Sequence, residues 1–107
     1  MATLSDLASA DRLDAALAAP GLLLLDVYTP SCVICRRLEP MVAAATSGGA
    51  VRAHKLDAEQ QVDFAVKYDI RGVPTLLLFR DGQLIDRRSG FSTASALREW
   101  ISAHARE

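Results

Sequence analysis

The sequence lacks three features that would assign it to a specialised class of protein. Its 107 residues include only 2 cysteines, too few for a disulfide scaffold. Its run of leucines, Leu22 to Leu25, is far too short to cross a bilayer. Its 12 basic residues nearly balance its 13 acidic residues, which leaves a net charge of −1. Because no long-range field attracts them, we expect neither nucleic acid nor a membrane as a partner.

The composition is that of a folded domain. Half of the residues are hydrophobic and 23% are charged, which excludes a disordered tail. The length predicts a single domain over residues 1–107, and no internal repeat or linker interrupts it. The first residues contain neither the basic stretch nor the apolar stretch of a signal peptide, so we expect a cytoplasmic protein.

Strand-like and helix-like segments alternate along the chain. The apolar run from Leu22 to Tyr28 predicts a strand buried on both faces, and the Asp81-Gly82 pair predicts a tight hairpin. The order is β-α-β-α-β-α-β-β-α, which predicts an α/β fold with a mixed sheet of about five strands and helices on both faces. The segments are a short edge strand within 2–7, helices at 9–19, 32–46, 58–68 and 93–105, and strands at 22–28, 51–57, 74–80 and 83–89.

The spacing of apolar residues predicts the inward face of two of these helices. In the second helix, Pro40 lacks an amide donor and predicts a kink. The polar face of this helix, opposite the face that packs inward, is predicted to carry Arg36, Arg37 and Glu39. The inward faces are predicted to be Cys35, Leu38, Met41, Val42 and Ala45 in the second helix, and Leu97, Trp100, Ile101 and His104 in the last.

The two cysteines, Cys32 and Cys35, lie where the buried strand ends and a helix begins. A thiol at a helix N-terminus is close to free amide donors and to the positive end of the helix dipole, both of which favour the reactive thiolate. Arg36 and Arg37 add positive charge nearby. We therefore favour thiol–disulfide redox chemistry over the alternative that both cysteines are small buried hydrophobes.

Zinc binding is the competing use of this cysteine pair. A structural zinc site needs about four ligands, and the other candidates are His54 and His104. These histidines fall in a different strand and in the last helix, where surface or interface positions explain them better. We therefore predict no metal site.

Asp26 interrupts the apolar strand and is the sequence's candidate proton acceptor. Burial would raise the pKa of its carboxyl group and suit it to proton transfer near neutral pH. The alternative is a carboxylate at a strand end that reaches solvent. Lys55, in the strand 51–57, is a candidate partner for Asp26, although it is equally explained as an exposed lysine.

Nearly the whole chain resembles the thioredoxin family. The order and spacing of many short motifs agree with that family, which is more specific than the cysteine pair alone. The matching residues are Leu25-Asp26, Cys32-x-x-Cys35, Pro40, Lys55-Leu56-Asp57, Tyr68-Asp69-Ile70-Arg71-Gly72-Val73-Pro74-Thr75, Asp81-Gly82 and Gly90.

The resemblance implies a thioredoxin fold and a protein-disulfide reductase. It implies that Cys32 is the exposed nucleophile, that Cys35 is the buried resolving thiol, and that Asp26, with Lys55 beside it, transfers the proton of Cys35. It also implies client proteins with disulfides, a thioredoxin reductase or another dithiol donor, a monomeric electron carrier, and no cofactor besides the Cys32–Cys35 disulfide. The substrate-binding residues would be Gly72, Val73 with its backbone paired to the client, Pro74 in a cis peptide bond, and Gly90.

Three positions depart from the family's usual active site. Ser31 and Tyr28 replace two tryptophans, and Ile34 replaces the proline between the cysteines. We expect the loss of that proline to give a less reducing couple, and we expect Val33 and Ile34 to form an apolar lip for substrate docking. A thioredoxin-like binding or chaperone module, whose dithiol is regulatory or idle, is the alternative function.

Overall fold

The protein, represented by a computed structural model, is described over residues 4–105. Its elements follow the predicted β-α-β-α-β-α-β-β-α order within that range. They are β1 (Ser5–Asp6), α1 (Ala10–Ala18), β2 (Leu22–Tyr28), α2 (Val33–Ala45), β3 (Val51–Asp57), α3 (Val62–Lys67), β4 (Thr75–Arg80), β5 (Gln83–Ser89) and α4 (Ala94–Ala105).

The strands form one mixed sheet in the order β1-β3-β2-β4-β5. The pairs β1–β3 and β2–β3 are parallel, as the helical crossovers require, whereas β2–β4 and β4–β5 are antiparallel. The prediction of β2 as a central strand is confirmed, because it has a neighbour on each side. The register places Asp26 of β2 directly beside Lys55 of β3 and Leu76 of β4.

The leucine run in β2 supplies core residues to both faces of the sheet. Leu24 packs with α2 and α4 on one face, whereas Leu23 and Leu25 pack with α1 and α3 on the other. This alternation explains why a two-face strand appears as a continuous apolar run. Because Asp26 lies two residues after Leu24, its side chain points to the face that α2 covers.

Local side-chain bonds set the helix boundaries, which differ slightly from the predicted ones. The cap predicted at Ser9 is confirmed, because its hydroxyl accepts from the Arg12 amide at 3.2 Å. Helix α3 begins at Val62 rather than 58, because Asp57 accepts from the amide of Glu59 at 2.8 Å and holds a turn there. Helix α2 continues through Pro40, where the expected kink stays a prediction.

The inward face predicted for α4 is confirmed for Leu97, Ile101 and Trp100. Leu97 and Ile101 are buried in the core and Trp100 is partly buried against it, whereas His104 is only partly buried. Trp100 Nε1 and His104 Nε2 both lie 2.7 Å from Asp86 Oδ2 on β5. These two side chains therefore attach the last helix to the edge of the sheet by polar contacts.

Candidate active site

The cysteine pair lies at the N-terminus of α2 and is present as a disulfide. Cys32 is the N-cap of the helix, and its Sγ accepts from the amide of Cys35 at 3.1 Å. Cys32 is partly exposed, whereas Cys35 is buried at 4% exposure. The geometry therefore agrees with the predicted pair of an accessible sulfur and a protected one, and the amide donor favours a thiolate at Cys32.

Asp26 is buried, with 1% of its surface exposed, as its position within an apolar strand predicted. The pKa of its carboxyl group is raised from 3.8 to about 7, mainly by burial and also by the nearby Glu39, whereas Lys55 opposes the rise. Its Oδ1 has no hydrogen-bond partner among residues 4–105. The alternative of a carboxylate at a strand end that reaches solvent is therefore wrong, and Asp26 is suited to accept a proton near neutral pH.

Lys55 lies beside Asp26 but pairs with a different carboxylate. Its Nζ is 3.2 Å from Glu39 Oε1, and it also lies 5.3 Å from the centre of the Tyr28 ring. The prediction that Lys55 is a neighbour of Asp26 is confirmed by the sheet register. The ion pair with Glu39 was not predicted from the sequence.

The prediction that Glu39 lies on the polar outer face of α2 is wrong. Its side chain is only 17% exposed, and its Oε2 accepts from the amide of Leu4 at 2.8 Å. Glu39 follows Cys35 by four residues, so it lies one turn further along the same helix face. That spacing was the available signal, and the acidic residue type obscured it.

A cavity of about 150 Å³ joins these groups. It connects the buried resolving cysteine with the buried carboxyl group and with the Glu39–Lys55 ion pair. A proton leaving Cys35 therefore has a polar acceptor in the same cavity. The residues that line the cavity are Asp26, Tyr28, Thr29, Pro30, Cys35, Arg36, Glu39 and Lys55.

Tyr28 lines the cavity where the family has a tryptophan. Its hydroxyl donates to Asp6 Oδ2 on β1, and burial together with this hydrogen bond raises the tyrosine's pKa above its ordinary value. The hydroxyl is therefore fixed toward the edge strand instead of toward the cysteines. Tyr28 is a wall of the site rather than a proton donor to it.

The segment before β4 forms a second part of the site. The peptide bond between Val73 and Pro74 is cis, as the resemblance implied. Gly72, Val73, Pro74 and Gly90 all line one surface groove of about 300 Å³. The structure thus brings four of the predicted substrate-binding residues together. Cys35 belongs to the separate cavity described above.

The remaining two predicted substrate-binding residues, Val33 and Ile34, are 57% and 50% exposed. Ile34 lines a groove of about 310 Å³ together with Arg37 and Phe91, and Phe91 is itself 51% exposed. Phe91 was missed in the sequence because it lies in a loop after Gly90, where no periodicity signals its position. Ile34 and Phe91 therefore form one exposed apolar surface, and Val33 is exposed next to Ile34.

Other kinds of site find no counterpart in the part of the chain that the structure describes. Residues 4–105 contain no group of three or more histidine, cysteine, aspartate or glutamate side chains placed to hold a metal ion. No helix in this range is long and apolar enough to cross a membrane. His54 is partly buried, and burial lowers the pKa of its imidazole.

Comparison with known proteins agrees with this geometry. The thioredoxin family model matches residues 6–103. The thioredoxin of Staphylococcus aureus is 33% identical over 86 residues, which cover 78% of this chain and 83% of that protein. Solved structures of a mutant thioredoxin from Halobacterium salinarum and of thioredoxin from Fasciola hepatica superpose with TM-scores of 0.86 and 0.83, at 29% and 31% identity. They cover 94% of this chain in both cases, and 89% and 99% of the respective neighbours. With its thioredoxin fold and its disulfide-forming cysteine pair, the chain belongs to the thioredoxin family and is a thiol–disulfide oxidoreductase.

Proposed function

We propose that the protein reduces disulfide bonds in client proteins, with Cys32 as the attacking thiol. The observation that carries this proposal is the arrangement of the cysteine pair. Cys32 is partly exposed and its sulfur accepts an amide hydrogen bond, whereas Cys35 lines the cavity that contains Asp26. Such a pair suits a reaction in which one sulfur meets the client and the other completes the exchange.

The exchange proceeds in two balanced steps. The Cys32 thiolate attacks one client sulfur, which forms a mixed disulfide and releases the other client sulfur as a thiolate. Cys35 then loses its proton to Asp26 and attacks the Cys32 sulfur, which forms the Cys32–Cys35 disulfide and releases the second client thiolate. Each client thiolate takes up one proton. The client gains two electrons, and the protein loses two.

The exposed surface around Cys32 suits an extended client segment. The backbone of Val73 would pair with that segment, and Gly72, Pro74 and Gly90 would allow its close approach. The apolar side chains of Val33, Ile34 and Phe91 would contact client side chains, and Arg37 favours an acidic one.

A reductase of this kind needs a dithiol donor to regenerate it. A thioredoxin reductase or another dithiol protein fulfils that need, and the cytoplasm is the compartment that keeps such thiols reduced. We propose that location and that class of donor, with the protein acting as a monomer and without a bound cofactor.

Insulin reduction with dithiothreitol as the donor tests the proposal. We expect turnover by the native protein, none by Cys32→Ser, and stable mixed disulfides with client proteins on Cys35→Ser. Alkylation of the reduced protein should modify Cys32 before Cys35, because Cys35 is buried. Absence of turnover by the native protein would contradict the reductase and favour a binding module, and alkylation of Cys35 first would reverse the roles of the two thiols.

A further inference from the structure

Glu39 uses both of its carboxylate oxygens in contacts that link three elements. From α2, Oε1 lies 3.2 Å from Lys55 Nζ on β3, and Oε2 accepts from the Leu4 amide just before β1 at 2.8 Å. The lysine and glutamate side chains are 25% and 17% exposed. A pair this sheltered is screened less by solvent than a surface pair, so its attraction is stronger than that of an exposed pair.

This pairing leaves Asp26 without the partner that the sheet register offers it. Asp26 and Lys55 are direct neighbours on parallel strands, yet the lysine contacts Glu39. Asp26 Oδ1 has no hydrogen-bond partner within residues 4–105. Two carboxyl groups thus compete for one ammonium group inside a cavity of about 150 Å³, and Cys35 lies in the wall of that cavity.

We infer that Glu39 is a positioning residue for disulfide exchange, which holds the Lys55 ammonium away from Asp26 and so keeps the Asp26 carboxyl available to exchange a proton with Cys35. This inference rests on the proposed role of Asp26 in the second step of the exchange. It concerns a residue that the family resemblance does not assign. The two carboxylate oxygens of Glu39 are occupied by Lys55 and by the Leu4 amide, so its role is one of positioning.

The side chains that surround Asp26 come from α2, β2, β3 and β4, and their charges agree with this role. Helix α2 and strand β3 present the charged and titratable groups that adjoin the carboxyl, β4 presents the apolar Leu76, and Tyr28 of β2 is bonded to Asp6. Burial and Glu39 both raise the pKa of Asp26, and Lys55 lowers it. A lysine released from Glu39 would move toward Asp26 and strengthen that lowering. The adjoining groups on α2 and β3 are Cys35, Arg36, Glu39 and Lys55.

The test is a titration of the Asp26 side-chain carboxyl by carbon NMR in the oxidised protein. Glu39→Gln retains an oxygen that can accept the Leu4 amide but loses the charge that holds Lys55. We expect the Asp26 midpoint to fall by about 1 pH unit or more, which is typical of a carboxylate that gains a nearby cation. The matched control, Glu99→Gln, changes an exposed glutamate of α4 and should leave the midpoint unchanged. Equal midpoints in Glu39→Gln and the control would overturn the inference.

A second pair of variants separates positioning from simple loss of charge. Lys55→Gln should raise the Asp26 midpoint more in the Glu39→Gln background than in the native one, because the lysine approaches Asp26 only when it is released. An equal effect in both backgrounds would mean that Lys55 does not move and would overturn the positioning role. Glu39→Ala introduces a strong helix former and gives a second route to the same comparison if Glu39→Gln folds poorly.

The consequence for the reaction is measured in the second step alone. The pH profile for resolution of a preformed Cys32 mixed disulfide should move to lower pH in Glu39→Gln, in parallel with the Asp26 titration. A shifted titration with an unshifted profile would contradict the role in exchange. The titration needs no turnover, so a native protein that fails to reduce insulin would contradict the proposed function without deciding the position of Lys55.

Discussion

At the scale of single residues, Asp26 imposes a free-energy cost on the fold whenever it ionises. The carboxyl is 1% exposed, and its pKa is raised from 3.8 to about 7, first by burial and then by Glu39. The folded state therefore binds this proton more tightly than the unfolded state does. The stabilisation that the bound proton gives the folded state is fully present below the unfolded pKa of Asp26, near 3.8, and is lost as the pH rises through about 7.

We therefore expect Asp26→Ala to stabilise the protein by an amount that grows as the pH rises from about 4 to about 7 and is constant above that. The shift corresponds to about 4 kcal/mol above pH 7. Lost packing offsets part of it, so a gain of roughly 1–4 kcal/mol in the free energy of unfolding should appear at about pH 8 and vanish below about pH 4. Urea unfolding across this pH range measures it. Asp14→Ala, at an exposed position of α1, is the control and should show no such trend. A destabilised Asp26→Ala protein at pH 8 would contradict the burial cost.

At the scale of elements, the β4–β5 hairpin depends on two residues with positive φ. Asp81 has φ 51° and Gly82 has φ 82°, the combination that a two-residue type I′ turn requires. Asp81 also accepts from the amide of Gly21 at 2.8 Å, which ties the hairpin to the start of β2. The turn therefore fixes both the register of the hairpin and its position against α1.

Gly82→Ala should destabilise this hairpin for two reasons. The new Cβ would lie 2.9 Å from the carbonyl oxygen of Leu17, and alanine disfavours the positive φ. We expect a loss of about 1–3 kcal/mol in the free energy of unfolding, measured by urea denaturation at pH 7. Gly48→Ala is the matched control, because nothing lies within 4 Å of its added Cβ and its φ is not positive. Equal stability of the two variants would show that the hairpin relaxes freely.

At the scale of the whole molecule, the sequence predicted the order of elements because apolar runs and turn residues are local signals. The two-face burial of Leu23, Leu24 and Leu25 follows directly from their position between Gly21 and Pro30. The pairing of Glu39 with Lys55 could not be predicted in this way, since it depends on how α2 packs over β3. Phe91 was missed for a different reason, because a loop residue has no periodic neighbours that place it.

The redox balance is also a property of the whole molecule, because it depends on which form the fold stabilises. Cys32 Sγ already accepts from the Cys35 amide, and Ile34 occupies a first-turn position whose amide a proline would remove. Val33 and Ile34 are 57% and 50% exposed, so at least half of each side chain faces solvent. Arg36 donates to the Pro30 carbonyl at 2.9 Å and is exposed, so solvent screens its charge. The amide donors of the first turn are therefore the main support for the thiolate, and they favour the reduced form.

Replacing Val33-Ile34 with Gly-Pro should make the couple more reducing. We expect the equilibrium constant against a glutathione buffer to change by about threefold to tenfold, or roughly 15–30 mV for a two-electron couple. Ile34→Pro alone should produce most of this change, whereas Ile34→Ala, which removes the side chain but keeps the amide, should produce little. A native couple as reducing as the Gly-Pro variant would refute the donor argument. A large effect of Ile34→Ala would instead assign the redox balance to the exposed side chain, and unchanged client affinity in the Gly-Pro variant would remove Val33 and Ile34 from the docking surface.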